Sequence, residues 1–212
     1  GWGFLTSKIG RSIFFVSLGL LFWSLGTLIF AYYNLALGVE VPYPSIADVF
    51  YVLLYVFYTL GIFFLMYSTG ATISIKKSHG KFLVAFVPIV VFLFSGYFLL
   101  DIGSLFSRNL LSFESILDIF YPLGDSLLLT FTLLIIFLSV KYLGGKYKFP
   151  IYLLLLGFII EYLADLFFSI KTADDTFFVG GPTDLMFLTS TYLVSLSLIL
   201  FDSKRITNGG SA

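Results

Sequence analysis

Long apolar runs, each about the length of a bilayer crossing, alternate with short polar segments along almost the whole chain. A helix needs about 20 apolar residues to cross the hydrocarbon core. Six segments meet that length: 12–33, 45–67, 82–100, 115–140, 150–170 and 182–201. Their apolar residues are continuous rather than alternating over about ten positions, which predicts helices and not barrel strands. The fold class expected is an all-α integral membrane protein, a bundle of six transmembrane helices forming a single transmembrane domain over residues 1–212.

Charge gives these spans a direction. Lys8 and Arg11 precede the first span, and Lys76, Lys77 and Lys81 lie between the second and third. Lys141, Lys146 and Lys148 lie between the fourth and fifth, and Lys204 and Arg205 follow the sixth. In a six-span chain all ten fall on one side, leaving Arg108 and Lys171 on the other. The positive-inside rule then places both termini in the cytoplasm of a cell membrane. Eleven of the acidic residues fall on, or in the half nearest, the opposite side, with Asp202 the exception.

Composition agrees and excludes several classes. The chain is 59% hydrophobic and 11% charged, against about 25% charged in a soluble domain. Zero net charge without a basic stripe argues against nucleic acid as a partner. The chain has no cysteine, hence no disulfide framework and no thiolate metal site. Nothing calls for a cofactor. The basic loop around His79 is expected to meet anionic lipid headgroups. Other expected partners are a cation or small-molecule ligand and a cytoplasmic signalling protein or second copy of the chain. Residues 208–212 read as a cloning remnant or flexible tail, so a longer natural chain stays open.

Two spans open with nearly the same words. The second begins Ser45-Ile46-Ala47-Asp48-Val49-Phe50-Tyr51 and the fourth Ser115-Ile116-Leu117-Asp118-Ile119-Phe120-Tyr121. The sixth is looser, with Asp184 two residues after Pro182. Odd spans share a tyrosine and a nearby polar residue: Tyr33 with Asn34, Tyr97 with Asp101, Tyr162 with Asp165. The pattern predicts three helical hairpins in parallel repeat, roughly 1–70, 71–148 and 149–212, meeting around a shared axis.

The strings PSIADVFYVLLY (44–55), LDIFYPLGDSLLL (117–129), EYLADLFFS (161–169) and DLMFLTSTYL (184–193) carry a resemblance. They resemble the polytopic membrane modules that precede output domains in prokaryotic diguanylate cyclases and histidine kinases. The resemblance implies a membrane sensory or signal-transducing module. It brings no ligand residues with it, and no cyclase or kinase domain follows the sixth span, so an excised module or one acting through a separate protein is implied.

The acidic residues are the candidate site. Asp48 and Asp118 each stand three residues after a serine, as in a capping box, where an acid also complements the helix dipole. Asp184 fits the same dipole logic. Asp125, Glu161 and Asp165 lie deeper. Asp125 is seven residues past Asp118, about 10 Å further along the same face. Glu161 and Asp165 are four apart and share a face of the fifth span. No Lys or Arg lies within a span to pair with them. An ionisable group at that depth costs several kcal/mol unless paired, solvated or protonated, so it points to function; hydrogen bonding across the bundle is the structural alternative. Pro122 removes a hydrogen bond to the Asp118 carbonyl, and with Gly124 it predicts a kink or local opening. A freed carbonyl among carboxylates would suit a proton or hard cation held by oxygen alone. Tyr51, Tyr121, Tyr162, Ser126, Thr191 and Tyr192 are further oxygens within reach of that region. The ligand-binding set expected is therefore Asp125, Glu161, Asp165, Asp118, Asp48, Asp184, Tyr121 and Tyr162.

Enzymatic readings lack parts. Gly124-Asp125-Ser126 resembles a lipase string, but the sole histidine, His79, falls on the other side of the membrane from a nucleophile needing a base. Two readings remain. One is a non-enzymatic sensory module whose outward-facing acidic cavity takes a cation, a proton or a small amphiphile. The other is a small cation- or proton-coupled transporter or channel. Segments 61–66, 133–138 and 196–200 offer a single serine, Ser197, which favours a cavity closed on the inner side, and so the sensor.

Overall fold

A computed structural model describes residues 4–39, 41–99, 112–139, 141–143 and 147–201. Among them run seven α-helices: α1 (Lys8–Ala31), α2 (Ile46–Ser68), the short α3 (Ala71–Ile75), α4 (Ser78–Leu99), α5 (Phe113–Ser139), α6 (Lys148–Ala173) and α7 (Pro182–Leu200). All but α3 are long and apolar enough to cross a membrane, and the chain is a multi-pass helical membrane protein. The expected positions Asp101, Arg108, Lys146, Asp202, Lys204 and Arg205, the tail 208–212 and the span ends Leu100 and Val140 lie outside the described residues.

The helices outrun their apolar runs because flanking cations continue the helix and lay their stems on aromatic rings. Lys8 sits 4.8 Å from the ring centroid of Tyr67, Arg11 5.5 Å from Phe64 and Lys148 5.8 Å from Tyr152. These contacts gather cations at one end of the bundle, the basic end. The N-termini of α2, α5 and α7 form the other, acidic end. Gly38 (φ 63°) takes left-handed backbone where the π-helical segment Tyr32–Leu37 that continues α1 stops, and Gly70 (φ 76°) does so just after α2, a conformation that costs glycine little.

The helices close a ring in the order α1, α2, α5, α4, α6, α7 and back to α1, with α5 also touching α6 across it. Each sequence hairpin is a pair of neighbours. The second hairpin enters in reverse, so α5 rather than α4 packs against α2. Rings of Tyr58 and Phe158, 4.9 Å apart, join α2 to α6 across the middle.

The surface is inside-out relative to a soluble protein. Leu28, Leu93 and Leu188 are 65%, 70% and 59% exposed, as suits side chains facing lipid. Inside, small residues let helices approach. A Cβ on Gly61 would stand 2.5 Å from Val16 Cγ2 and 3.0 Å from the Val16 backbone nitrogen, and one on Gly157 2.8 Å from Val194 Cγ2. These contacts seat α2 on α1 and α7 on α6.

Two local expectations are corrected. Ser115 does not cap α5. The helix begins a turn earlier, at Phe113, because Ser112 accepts the Ser115 backbone N–H at 3.2 Å. Asp118 therefore lies in the second turn rather than in a capping box. Nor does Pro122 open the helix, which runs unbroken from Phe113 to Ser139.

Candidate functional site: carboxyl groups at the meeting of three helices

The site has two layers along the seam of α2 and α5. In the outer layer, Ser45 and Asp48 form the expected capping box, with the Ser45 N–H donating to Asp48 Oδ2 at 2.6 Å. The same carboxylate accepts from the Tyr121 hydroxyl of α5 at 2.5 Å. Asp118 in turn accepts from the Tyr43 hydroxyl at 2.8 Å. Each aspartate thus binds a tyrosine from the other side of the seam, so both act as braces, and Asp48 caps α2 as well. Burial, and next the bond to Asp118, push the Tyr43 hydroxyl's pKa up, so it remains a donor.

The inner layer joins α2, α5 and α6. The Tyr55 hydroxyl lies 2.9 Å from Asp125 Oδ1 and 3.1 Å from Asp165 Oδ2. The two aspartates are themselves in hydrogen-bond contact. Gly124 makes this possible, since a Cβ there would stand 2.8 Å from the Tyr55 ring; its role is a slot for that ring. Glu161, one turn before Asp165, meets the Ser190 hydroxyl of α7, which also donates to the Gly157 carbonyl at 2.9 Å. Asp125 and Glu161 are each 3% exposed, whereas Asp165 is half-buried. The three deep acids face the bundle interior, as their depth required.

The remaining expected residues stand apart from this cluster. Tyr162 turns to α4, its hydroxyl 2.9 Å from Ser95 Oγ. Asp184 accepts the Gly180 N–H at 2.5 Å, which ties the turn before α7 to its first turn. Tyr51 meets Thr27 of α1, Ser126 donates to the Pro122 carbonyl at 2.6 Å, and Tyr192 is 64% exposed. Thr191 is half-buried. Among the described residues, no three His, Asp or Glu side chains converge as a metal site would require.

Tyr55 and Ser190 are the positions of the carboxyl cluster that the sequence reading missed. Tyr55 had a signal: it precedes Asp125 by the same 70 residues that separate Asp48 from Asp118 and Tyr51 from Tyr121. Extending the repeat by four residues pairs a tyrosine with an acid. Ser190 had none, being one hydroxyl among several on the sixth span. No protein-family description, no curated protein and no solved structure matches the chain.

Proposed function

We propose that the chain is a non-enzymatic sensory module of the cell membrane in which the Tyr55–Asp125–Asp165 cluster takes up a proton, or a cation in its place, and couples it to the packing of α2, α5 and α6. The observation that carries this reading is one tyrosine hydroxyl shared by two carboxyl groups on different helices, at 2.9 and 3.1 Å. A carboxylate only accepts hydrogen bonds and a tyrosine hydroxyl donates one. Two carboxyls touching each other and one hydroxyl are satisfied only by a further proton or cation between them. Losing it leaves two like charges side by side in a low dielectric and drives the helices apart. Half-buried Asp165 is the point of entry from the acidic end, which the charge rule places outside the cell. Both termini are then cytoplasmic, where a signalling partner or second copy reads the helix shift. The resemblance to cyclase- and kinase-associated modules supports the same role. On this reading the first two hairpins are repeats facing each other across the α2–α5 seam, with Tyr55 and Asp125 as matching positions.

A proton-coupled transporter is the second reading. Thr130, five residues past Asp125 toward the basic end, has a buried hydroxyl with no partner among the described residues, a first polar step below the cluster. Infrared difference spectra over a pH titration, with vesicles loaded with a pH-sensitive dye, separate the readings. The sensor shows a protonated-acid carbonyl band that titrates, weakens in Asp125→Asn and Asp165→Asn, and is accompanied by no proton flux. Flux abolished by Asp125→Asn makes the protein a transporter. A spectrum with no titrating acid band and vesicles with no flux would reduce the cluster to a packing feature.

A further inference from the structure

At the basic end, a cavity of about 320 Å³ opens between α3, the start of α4 and the end of α5, lined by Ser74, His79, Phe137, Leu138 and Lys141. We infer that this cavity binds a phosphate group, as carried by an anionic phospholipid headgroup of the adjoining leaflet or by free phosphate. Its volume lies at the lower end of the ~300–1,000 Å³ common for small-molecule sites.

The charge around it is one-sided. The sequence has no Asp or Glu from 49 to 100 or from 126 to 160, so the segments that build the cavity carry no acid. They carry Lys76, Lys77, Lys81, Lys141 and His79. Lys77 Nζ bonds the Tyr142 hydroxyl at 3.0 Å, and that bond lowers the hydroxyl's pKa, a local trace of the positive field. The positive end of the α4 dipole also faces this region, because the helix starts at Ser78.

The end of α5 would ordinarily oppose an anion with its unpaired carbonyls. Here the last two are occupied. Ser74 Oγ donates to the Leu138 carbonyl at 2.7 Å, and the Ser139 carbonyl accepts from the Tyr142 and Leu143 N–H groups at 2.8 Å each. The Leu138 and Ser139 carbonyls are therefore not free to oppose an anion. The wall beside it is apolar and open: Phe137 is 51% exposed and Phe82 on α4 is 62% exposed. Basic pockets between spanning helices, with an apolar flank at headgroup depth, suit a phospholipid whose acyl chains lie along the protein.

The test is thermal stability of the full chain in a zwitterionic detergent, titrated with phosphatidylglycerol, phosphatidylcholine or inorganic phosphate. Phosphatidylglycerol is expected to raise Tm in a saturable way, and His79→Gln with Lys141→Gln is expected to weaken its apparent affinity about tenfold or more. Both side chains are exposed, so the paired variant should fold. Lys148→Gln, at the same end over Tyr152, should leave the affinity unchanged. Saturation by inorganic phosphate that is lost in the paired variant identifies free phosphate as the ligand and sustains the inference. Equal stabilisation of the parent and the paired variant by phosphatidylglycerol overturns it. So does an equal loss of affinity in Lys148→Gln, which would mean diffuse surface charge rather than a site.

Discussion

The two halves of the bundle are held by different forces. Toward the acidic end, side chains tie helix to helix by hydrogen bonds: Tyr121 to Asp48, Tyr43 to Asp118, Tyr55 to Asp125 and Asp165. Toward the basic end the contacts are mostly steric, with Ile62, Leu65, Ile135, Leu138, Leu154 and Leu155 almost fully buried, and uncharged hydroxyls there bond one another or backbone carbonyls, as Ser139 does Thr69 at 2.9 Å and Ser197 the Pro150 carbonyl at 2.9 Å. Shape complementarity is indifferent to protons and ions. A hydrogen-bonded carboxyl cluster is not. The half built from shape is suited to stay fixed while the half built from acids responds, so the two should fail differently when perturbed.

The largest effect is expected in the steric half. In Gly61→Leu the new side chain would start 3.0 Å from the backbone nitrogen of Val16, which cannot swing aside as a flexible side chain would. Overpacking costs about 1–3 kcal/mol and more where the backbone must move. Loss of the monodisperse peak in size-exclusion chromatography is expected, while Leu60→Ala, at a lipid-facing position 37% exposed, should elute as the parent does. A folded Gly61→Leu protein with the parent Tm would show that close α1–α2 packing is not what fixes this half.

Tyr55→Phe comes next and probes the other half. It leaves the ring in the Gly124 slot and removes only the shared hydroxyl, at a cost of about 1–3 kcal/mol for buried groups left unsatisfied. In an Asp125→Asn background the same change should cost less, because a neutral amide can donate to Asp165 in place of the hydroxyl. Tm values of the four proteins in this double-mutant cycle measure the coupling. Additive losses would mean that the tyrosine and the aspartate do not act as one unit.

Much of this contrast was legible in the sequence. Apolar runs longer than the bilayer is thick leave helices as the only solution, so the six spans followed directly. The depth of Asp125, Glu161 and Asp165 followed from counting 1.5 Å per residue, and their inward orientation from the cost of lipid-facing charge. Which partner each acid would find was less accessible. Tyr162 is adjacent to Glu161 in sequence but points toward Ser95 on α4, while Tyr55, 110 residues from Asp165, completes the cluster. Chain reversal in the second hairpin decides this, and no local pattern encodes it. The Ser115 cap failed for a local reason: Ser112, one turn earlier, accepts the Ser115 N–H and starts the helix before it.

Tyr121→Phe should have a smaller effect than Tyr55→Phe, although the bond it removes is short. Asp48 keeps its capping bonds from the Ser45 N–H and hydroxyl, and the outer layer lies near the end of the spans, where water can replace a lost donor. Interhelical hydrogen bonds in membrane proteins average about 0.6 kcal/mol, and a Tm loss of that order is expected. A loss matching that of Tyr55→Phe would place the outer layer in the same cooperative unit as the inner one.

The smallest effect is expected at Tyr43, and only in alkali. Its hydroxyl is pushed above the ordinary tyrosine range by burial and by the bond to Asp118. A phenol with a raised folded pKa contributes stability that is intact below its unfolded pKa of about 10 and is lost as pH rises toward the folded value. Ionising it would turn a donor into a second negative charge beside Asp118. Tm of the parent should therefore fall above pH ~10 in part through this group, and Tyr43→Phe should lose less over the same interval while being slightly less stable at neutral pH. Because the loop carrying Tyr43 precedes α2 rather than lying within the bundle, the inner cluster should be untouched, and the acid band of Asp125 and Asp165 should titrate as in the parent. A shift of that band in Tyr43→Phe would show that the outer braces set the protonation of the inner cluster, and would move the boundary between the responsive and the fixed regions outward to the ends of the helices.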